Sequence, residues 1–227
     1  MRRRARILTA LCLQDDGFAR MPASSLASDT LQTMLRLYDE EFLSGLLAST
    51  YGELTVTLSS RLTSSAGKFI YSRSPLKRMR SAEIRMSSDF LFRLDRGPFL
   101  LNGLSVATPQ EAFLIVFEHE LCHALETALY GATGHSSRFL KLANGLFGHT
   151  GTRHSLPTRR EDAAQSGLTV GSCVRFEAQG QTFRGLLTYV GKTATVMVRD
   201  PRGPYRDRYG RRYVKYRVAV PLLKKDS

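Results

Sequence analysis

His119-Glu120-Leu121-Cys122-His123 sets two imidazoles four residues apart, with a carboxylate directly after the first. On a helix, residues four apart lie one turn apart on the same face, so both rings can reach one ion. Glu120 is offset from that line and faces the side of the ion left open for water. Zinc in such a site brings the pKa of its water toward about 7, and a carboxylate beside it can take the proton and pass it to a leaving amine. The spacing therefore predicts metal-assisted hydrolysis, with one Zn2+ ion held by His119 and His123 and with Glu120 as general base.

A catalytic zinc keeps three protein ligands and one open position. The metzincin spacing would need Gly at 126 and His at 129; the chain has Glu126 and Leu129, which excludes that class. His135 is the first candidate for the third ligand, since Gly131 and Gly134 allow a turn that brings it back over the motif; His149 and His154 come next. Glu126, seven residues after His119, falls on the same helix face and reads as a ligand or as a group that orients one. Cys122 points away from the two histidines and reads as a packing residue.

The elements that must position these residues are legible around them. Thr108-Pro109-Gln110-Glu111 combines a capping threonine, a proline suited to the first helical position and a capping-box glutamate, and predicts a helix from there to about Tyr130, ending at Gly131. Phe113, Leu114, Ile115, Val116, Phe117 and Leu121 make it apolar over much of its circumference. Buried imidazoles and a buried carboxylate on such a helix are costly unless something pairs them, and a metal would. A second helix is expected from His135 or Ser136 to Gly148. Upstream, Leu31, Met34, Leu35, Tyr38, Phe42, Leu46 and Leu47 recur at helical spacing, and Leu54–Leu58, Lys68–Tyr71 and Ala82–Met86 read as strands, with Lys77, Arg78 and Arg80 in a basic loop. The Ala82–Met86 strand is the expected edge for an extended peptide substrate. Arg2, Arg3 and Arg4 before the short apolar run Ile7–Leu13 imitate a signal peptide, but the run stops at Asp15 and Asp16; residues 1–27 read as a disordered basic tail, with Met21 as an alternative start.

His119-Glu120-Leu121-Cys122-His123-Ala124, followed by Gly134-His135 and Phe139, resembles the SprT-like metalloprotease family. Leu37-Tyr38 to Phe42, Leu58-Ser59-Ser60-Arg61-Leu62-Thr63 with Ala66-Gly67, and Glu83-Ile84-Arg85-Met86-Ser87 extend the resemblance over roughly residues 30–153. It implies a zincin-type fold, zinc held by His119, His123 and His135, and Glu120 as general base. It also implies protein substrates, since some members cut proteins crosslinked to DNA. Ser136 stands where many relatives have glycine after the third histidine.

After Gly167 the pattern turns to short strands: Cys173–Phe176, Phe183–Leu187, Thr195–Val198, Tyr213-Val214 and Val218–Val220. They predict a small SH3-like barrel over 167–227, joined by a linker over 154–166 to residues 28–153, for which the resemblance implies a zincin-like SprT-like domain; the whole is an α+β chain of two parts. The formal net charge is +13, and residues 166–227, with thirteen Lys/Arg against four Asp/Glu, carry +9 of it. Arg199, Arg202, Arg206, Arg208, Arg211, Arg212 and Lys215 are interleaved with Tyr205, Tyr209 and Tyr213. Arginine grips phosphate and tyrosine stacks on unpaired bases, so the expected partner is nucleic acid, DNA ahead of RNA, bound without regard to sequence. Three scattered cysteines carry no disulfide framework, which points to a reduced, cytoplasmic setting, and no apolar run is long enough to span a membrane. The reading from another function class is a nucleic-acid-binding protein whose zinc is purely structural.

Overall fold

The chain folds as two units, Met1–Leu156 and Pro157–Ser227, and their element content follows the change in residue pattern. The computed structural model describes residues 2–21, 26–73, 79–91, 94, 98–152 and 159–226. Lys77, Arg78 and the alternative ligand His154 lie outside the described residues.

In the first unit the expected tail is ordered structure. Arg2–Gln14 forms α1 and Asp16–Ala19 forms α2, with the Asp15 carboxylate accepting the Gly17 and Phe18 N–H groups. Ile7, Leu11 and Phe18 are buried in the core, and each fully buried side chain of this size contributes about 1.5–3 kcal/mol. Arg4, read from the sequence as a tail charge, reaches inward to a buried glutamate. The long helix expected through Leu47 is broken. Ser28–Leu43 forms α3, Ser44 and Gly45 take left-handed φ of 55° and 77°, and Leu46–Thr50 forms α4. The break is held by Asp39, whose carboxylate accepts the Leu47 and Ala48 N–H groups at 2.9 Å.

Strands β1 (Leu54–Ser59), β2 (Gly67–Arg73) and β3 (Met79–Ser87) form a sheet in the order β1-β3-β2, with β1 parallel and β2 antiparallel to β3. The expected substrate edge, Ala82–Met86, is therefore the middle strand. Its hydrogen-bonding groups are engaged on both sides, and β2 is the edge beside α6. A short helix α5 (Ser88–Leu91) and the hairpin β4 (Phe99–Leu101) and β5 (Leu104–Val106) follow.

Helix α6 (Pro109–Tyr130) is the axis of the unit. Thr108 accepts the Glu111 N–H and Glu111 accepts the Ala107 N–H, as the capping pattern requires. Its 22 residues span about 33 Å, and those from Ala112 to Cys122 are all buried. Gly131 ends the helix at φ 72°. Helix α7 (Ser137–Phe147) starts under the Ser136 hydroxyl, which accepts the Phe139 N–H, and buries Phe139, Ala143 and Phe147 along one stripe.

The second unit opens on α8 (Arg159–Gln165), inside the expected linker, with Ala163 buried. Strands β6 (Cys173–Ala178), β7 (Gln181–Val190), β8 (Ala194–Arg199), β9 (Tyr205–Arg206), β10 (Arg212–Val218) and β11 (Lys224–Lys225) form one antiparallel sheet. Its order is β11-β6-β7-β8-β10-β9. Val174, Phe176, Leu187 and Val196 alternate inward to make its core. The strand expected at 218–220 is instead the end of β10 followed by a 3-10 turn, Val220–Leu222. Among the described residues no helix is long and apolar enough to cross a membrane.

Candidate metal centre

His119 and His123 project from successive turns of α6, and His135 comes from the turn between α6 and α7. The His119 Nε2 lies 3.0 Å from His135 Nε2 and 3.2 Å from His123 Nε2. The three ligand atoms all fall within 4.8 Å of one another. A four-coordinate ion with metal–nitrogen bonds of about 2.0–2.1 Å sets neighbouring nitrogens about 3.3 Å apart, so the spacing fits a single cation at the point where the lone pairs meet. An all-imidazole donor set suits a borderline transition metal. Phe139, fully buried, lies under all three rings, with centroid distances of 5.0, 4.5 and 5.2 Å to His119, His123 and His135. The site grades outward from buried His119 to exposed His135, leaving one side open.

The His123 ring is set by a relay. Its Nδ1 lies 2.7 Å from the Thr133 hydroxyl, and that hydroxyl donates to Glu126 at 2.9 Å. An ionised carboxylate has no proton to give, so Thr133 must donate to it and accept the His123 Nδ1–H. The bare lone pair is then on Nε2, facing the other two rings. Burial and the charge of His135 pull the His123 pKa down to about 4, against the opposing pull of Glu126. Its neutral, ligating form therefore persists well below neutral pH.

Glu120 lies in the same cleft, which is also lined by Ser65, Gly67, Lys68, Phe69, Thr133 and Thr152. Its carboxyl is 6 % exposed, and burial pushes it up to about 8 despite a hydrogen bond from the Phe69 N–H. A Cβ at Gly67 would sit 2.7 Å from Glu120 Cγ and 2.8 Å from Oε1, so a larger residue there must displace the Glu120 side chain. The start of the edge strand β2 is thereby pressed directly against the carboxylate.

A model of the SprT-like family matches residues 31–159, more than half of the chain. The chain belongs to the SprT-like family. No curated protein and no solved structure matches it. Membership brings metalloprotease-type chemistry to the SprT-like region, and the matched segment contains every residue of the histidine cluster. Helix α1 and the basic sheet lie outside it.

Within the SprT-like region the other sequence candidates are placed elsewhere. His149 is fully buried and bonds through Nε2 to Glu118 at 2.8 Å, with Asn102 at its Nδ1. Glu126 faces the α6–α7 turn and is not a ligand. Cys122 is buried and burial holds its thiol well above the ordinary range. Arg138 lies 4.2 Å over the Tyr130 ring and bonds Glu126, so both residues brace the turn.

The sequence reading missed Glu118. It is fully buried and takes a bidentate pair from Arg4, at 2.6 Å on each oxygen, together with the Tyr38 hydroxyl at 2.8 Å and His149. Arg4 also donates to the Phe147 carbonyl. A glutamate between Phe117 and His119 in an apolar helix was the available signal, since a carboxylate there needs a buried partner.

Of the residues read as basic contacts in the second unit, Arg199, Arg202, Arg206, Arg208 and Lys215 are exposed. Arg211 is paired with Asp207 at 2.7 Å, and Arg212 donates to the Gly203 carbonyl. Arg208 lies over the Tyr209 ring at 4.7 Å and Lys215 over Tyr205 at 6.0 Å.

Proposed function

We propose that the chain is a zinc-dependent endopeptidase of zincin type, and that the observation carrying this reading is three imidazole Nε2 atoms meeting beside a buried carboxylate at a sheet edge. Zinc held by His119, His123 and His135 would supply Lewis acidity to a substrate carbonyl and acidify a water at the open position. Beside a divalent charge the Glu120 carboxyl returns toward its ionised form and can act as a base. Glu120 takes a proton from the attacking water, whose oxygen bonds to the scissile carbonyl carbon; as the C–N bond breaks, Glu120 passes that proton to the amine. An extended peptide lies along β2, whose outer edge presents main-chain donors and acceptors, so recognition runs through the backbone of the substrate. In a structural zinc site a fourth protein ligand would close the shell; among the described residues the cluster has three, with Glu118 engaging His149 and the α6–α7 turn engaging Glu126.

We propose that the second unit, an SH3-like module in this reading, holds nucleic acid without reading sequence. Register puts Arg175 opposite Arg184, Lys215 opposite Met197 and Tyr213 between Arg199 and Tyr205, so exposed cations line the outward face of the sheet beside aromatic rings. Substrates would then be proteins held on DNA, cut in a reducing compartment where Cys12, Cys122 and Cys173 stay free.

The test is cleavage of an unfolded protein by the full chain and by Glu120→Gln, with bound metal quantified in both. Zinc retained at one equivalent in both, with cleavage lost only in the variant, supports the peptidase. Zinc in both and cleavage in neither supports the structural-zinc reading, and equal cleavage by both removes Glu120 as the base.

A further inference from the structure

Glu126 has no part in the proposed proton transfers, yet its fully buried carboxylate accepts hydrogen bonds from four groups around the turn that carries His135. Oε2 accepts the Thr133 hydroxyl at 2.9 Å and the Gly134 N–H at 3.0 Å. Oε1 accepts Arg138 Nε at 2.9 Å and the Ser136 hydroxyl at 3.4 Å. Gly134 and Ser136 flank His135, and Thr133 bonds His123. A carboxylate on the α6 face of the first two ligands thus grips the turn that delivers the third.

We propose that Glu126, acting through Thr133, is the positioning residue of the metal centre: one carboxylate selects the Nδ1–H tautomer of His123 and holds the His135 turn over α6. The inference rests on the metal-site reading above. The geometry gives each oxygen a separate task. Through Thr133, Oε2 orders the hydrogen-bond direction His123 Nδ1–H to hydroxyl to carboxylate, which leaves Nε2 bare. Oε1, together with Arg138 stacked on Tyr130, keeps the far end of the turn from swinging away. A neutral imidazole free to choose either tautomer would spend part of its time with a proton on Nε2, pointing into the cation's position, and every such interval subtracts from affinity.

Thr133→Val separates positioning from folding, because it keeps the side-chain volume and the turn but removes the hydroxyl. Zinc affinity is measured by competition with a chelating dye, and the His123 tautomer is read from its 15N shifts in the metal-free protein. Thr133→Val is expected to lower zinc affinity by about 10- to 100-fold and to move metal-free His123 from Nδ1–H to a tautomer mixture. Thr133→Ser restores both. Glu126→Gln lowers affinity at least as far, because it also loosens the His135 turn, while Arg138→Ala leaves the tautomer unchanged. A Thr133→Val protein with wild-type affinity and wild-type 15N shifts overturns the proposal, even if Glu126→Gln fails to fold. Wild-type protein that takes up no zinc would sink the metal reading instead, and the tautomer measurement still decides the relay on its own.

Discussion

Burial drives the Glu120 carboxyl from 4.5 up to about 8, and a divalent charge beside it would drive it back down. The sign for the metal-free protein follows. A raised carboxyl favours the protonated form in the fold, so its contribution is complete below the unfolded value and is lost as pH rises toward about 8. Glu120→Gln does not titrate, and near pH 7 it should relieve the metal-free fold of about 3 kcal/mol. Urea unfolding of stripped protein checks this: the variant's advantage should grow from pH ~5 to pH ~8 and shrink when zinc is restored. The same advantage at both pH values would mean that the carboxyl is not held neutral. At this scale His119, Glu120 and His123 were legible because the period of a helix dictates their spacing. His135 was legible because glycines on its N-terminal side announce a turn. Glu126 reads from the sequence as either ligand or orienting group, since helix phase puts it on the metal face but does not say which partner its oxygens find.

Among the elements, β2 and α6 meet at Gly67 with no room for a methyl group. Gly67→Ala should push the Glu120 side chain aside, costing about 1–3 kcal/mol in stability and lowering kcat while zinc content stays at the wild-type level. Parallel metal analysis and turnover measurements test this, and a fall in zinc with unchanged turnover per bound ion would contradict it. On the other side of α6, Arg4→Ala removes the bidentate partner of a buried carboxylate and should cost about 3–5 kcal/mol, read as a drop in urea midpoint; a midpoint within error of wild type would show that Tyr38 and His149 suffice. Caps made the ends of α6 and α7 readable in advance, because Thr108, Gly131 and Ser136 act over a few residues. Sheet order was not readable, because β1 pairs with β3 across an intervening strand, and nothing in the alternation of Ala82–Met86 distinguishes a middle strand from an edge. The break between α3 and α4 was missed for a related reason: apolar spacing runs through it, and the Asp39 cap that enforces it lies five residues upstream of Ser44.

For the whole chain, charge is the property that the sequence displays most openly, and the exposed cations of the second unit bear its consequence. Binding of a short single-stranded DNA to the full chain should weaken steeply with salt. Replacing Arg202, Arg206 and Arg208 with glutamate should flatten the log–log slope by about 0.7 for each phosphate no longer neutralised. Fluorescence anisotropy across a salt series measures both, and a slope identical in wild type and variant would detach these residues from the partner. The N-terminal segment departs furthest from its sequence pattern, because three arginines beside a short apolar run look the same in a tail as in a docked helix until the buried acid that one of them, Arg4, meets is known. That acid imposes a timetable on biosynthesis. Arg4 emerges from the ribosome 114 residues before Glu118 and 143 before Phe147, and His149 follows later still. Until Glu118 is made, α1 can pack on α3 through Arg6 and Glu41 but its Arg4 guanidinium has no carboxylate to meet, and until Phe147 and His149 follow, the Glu118 network lacks its last partners. Closing so wide a loop is slow, so the helix that bears the histidines is locked only after nearly all of the first unit has been translated.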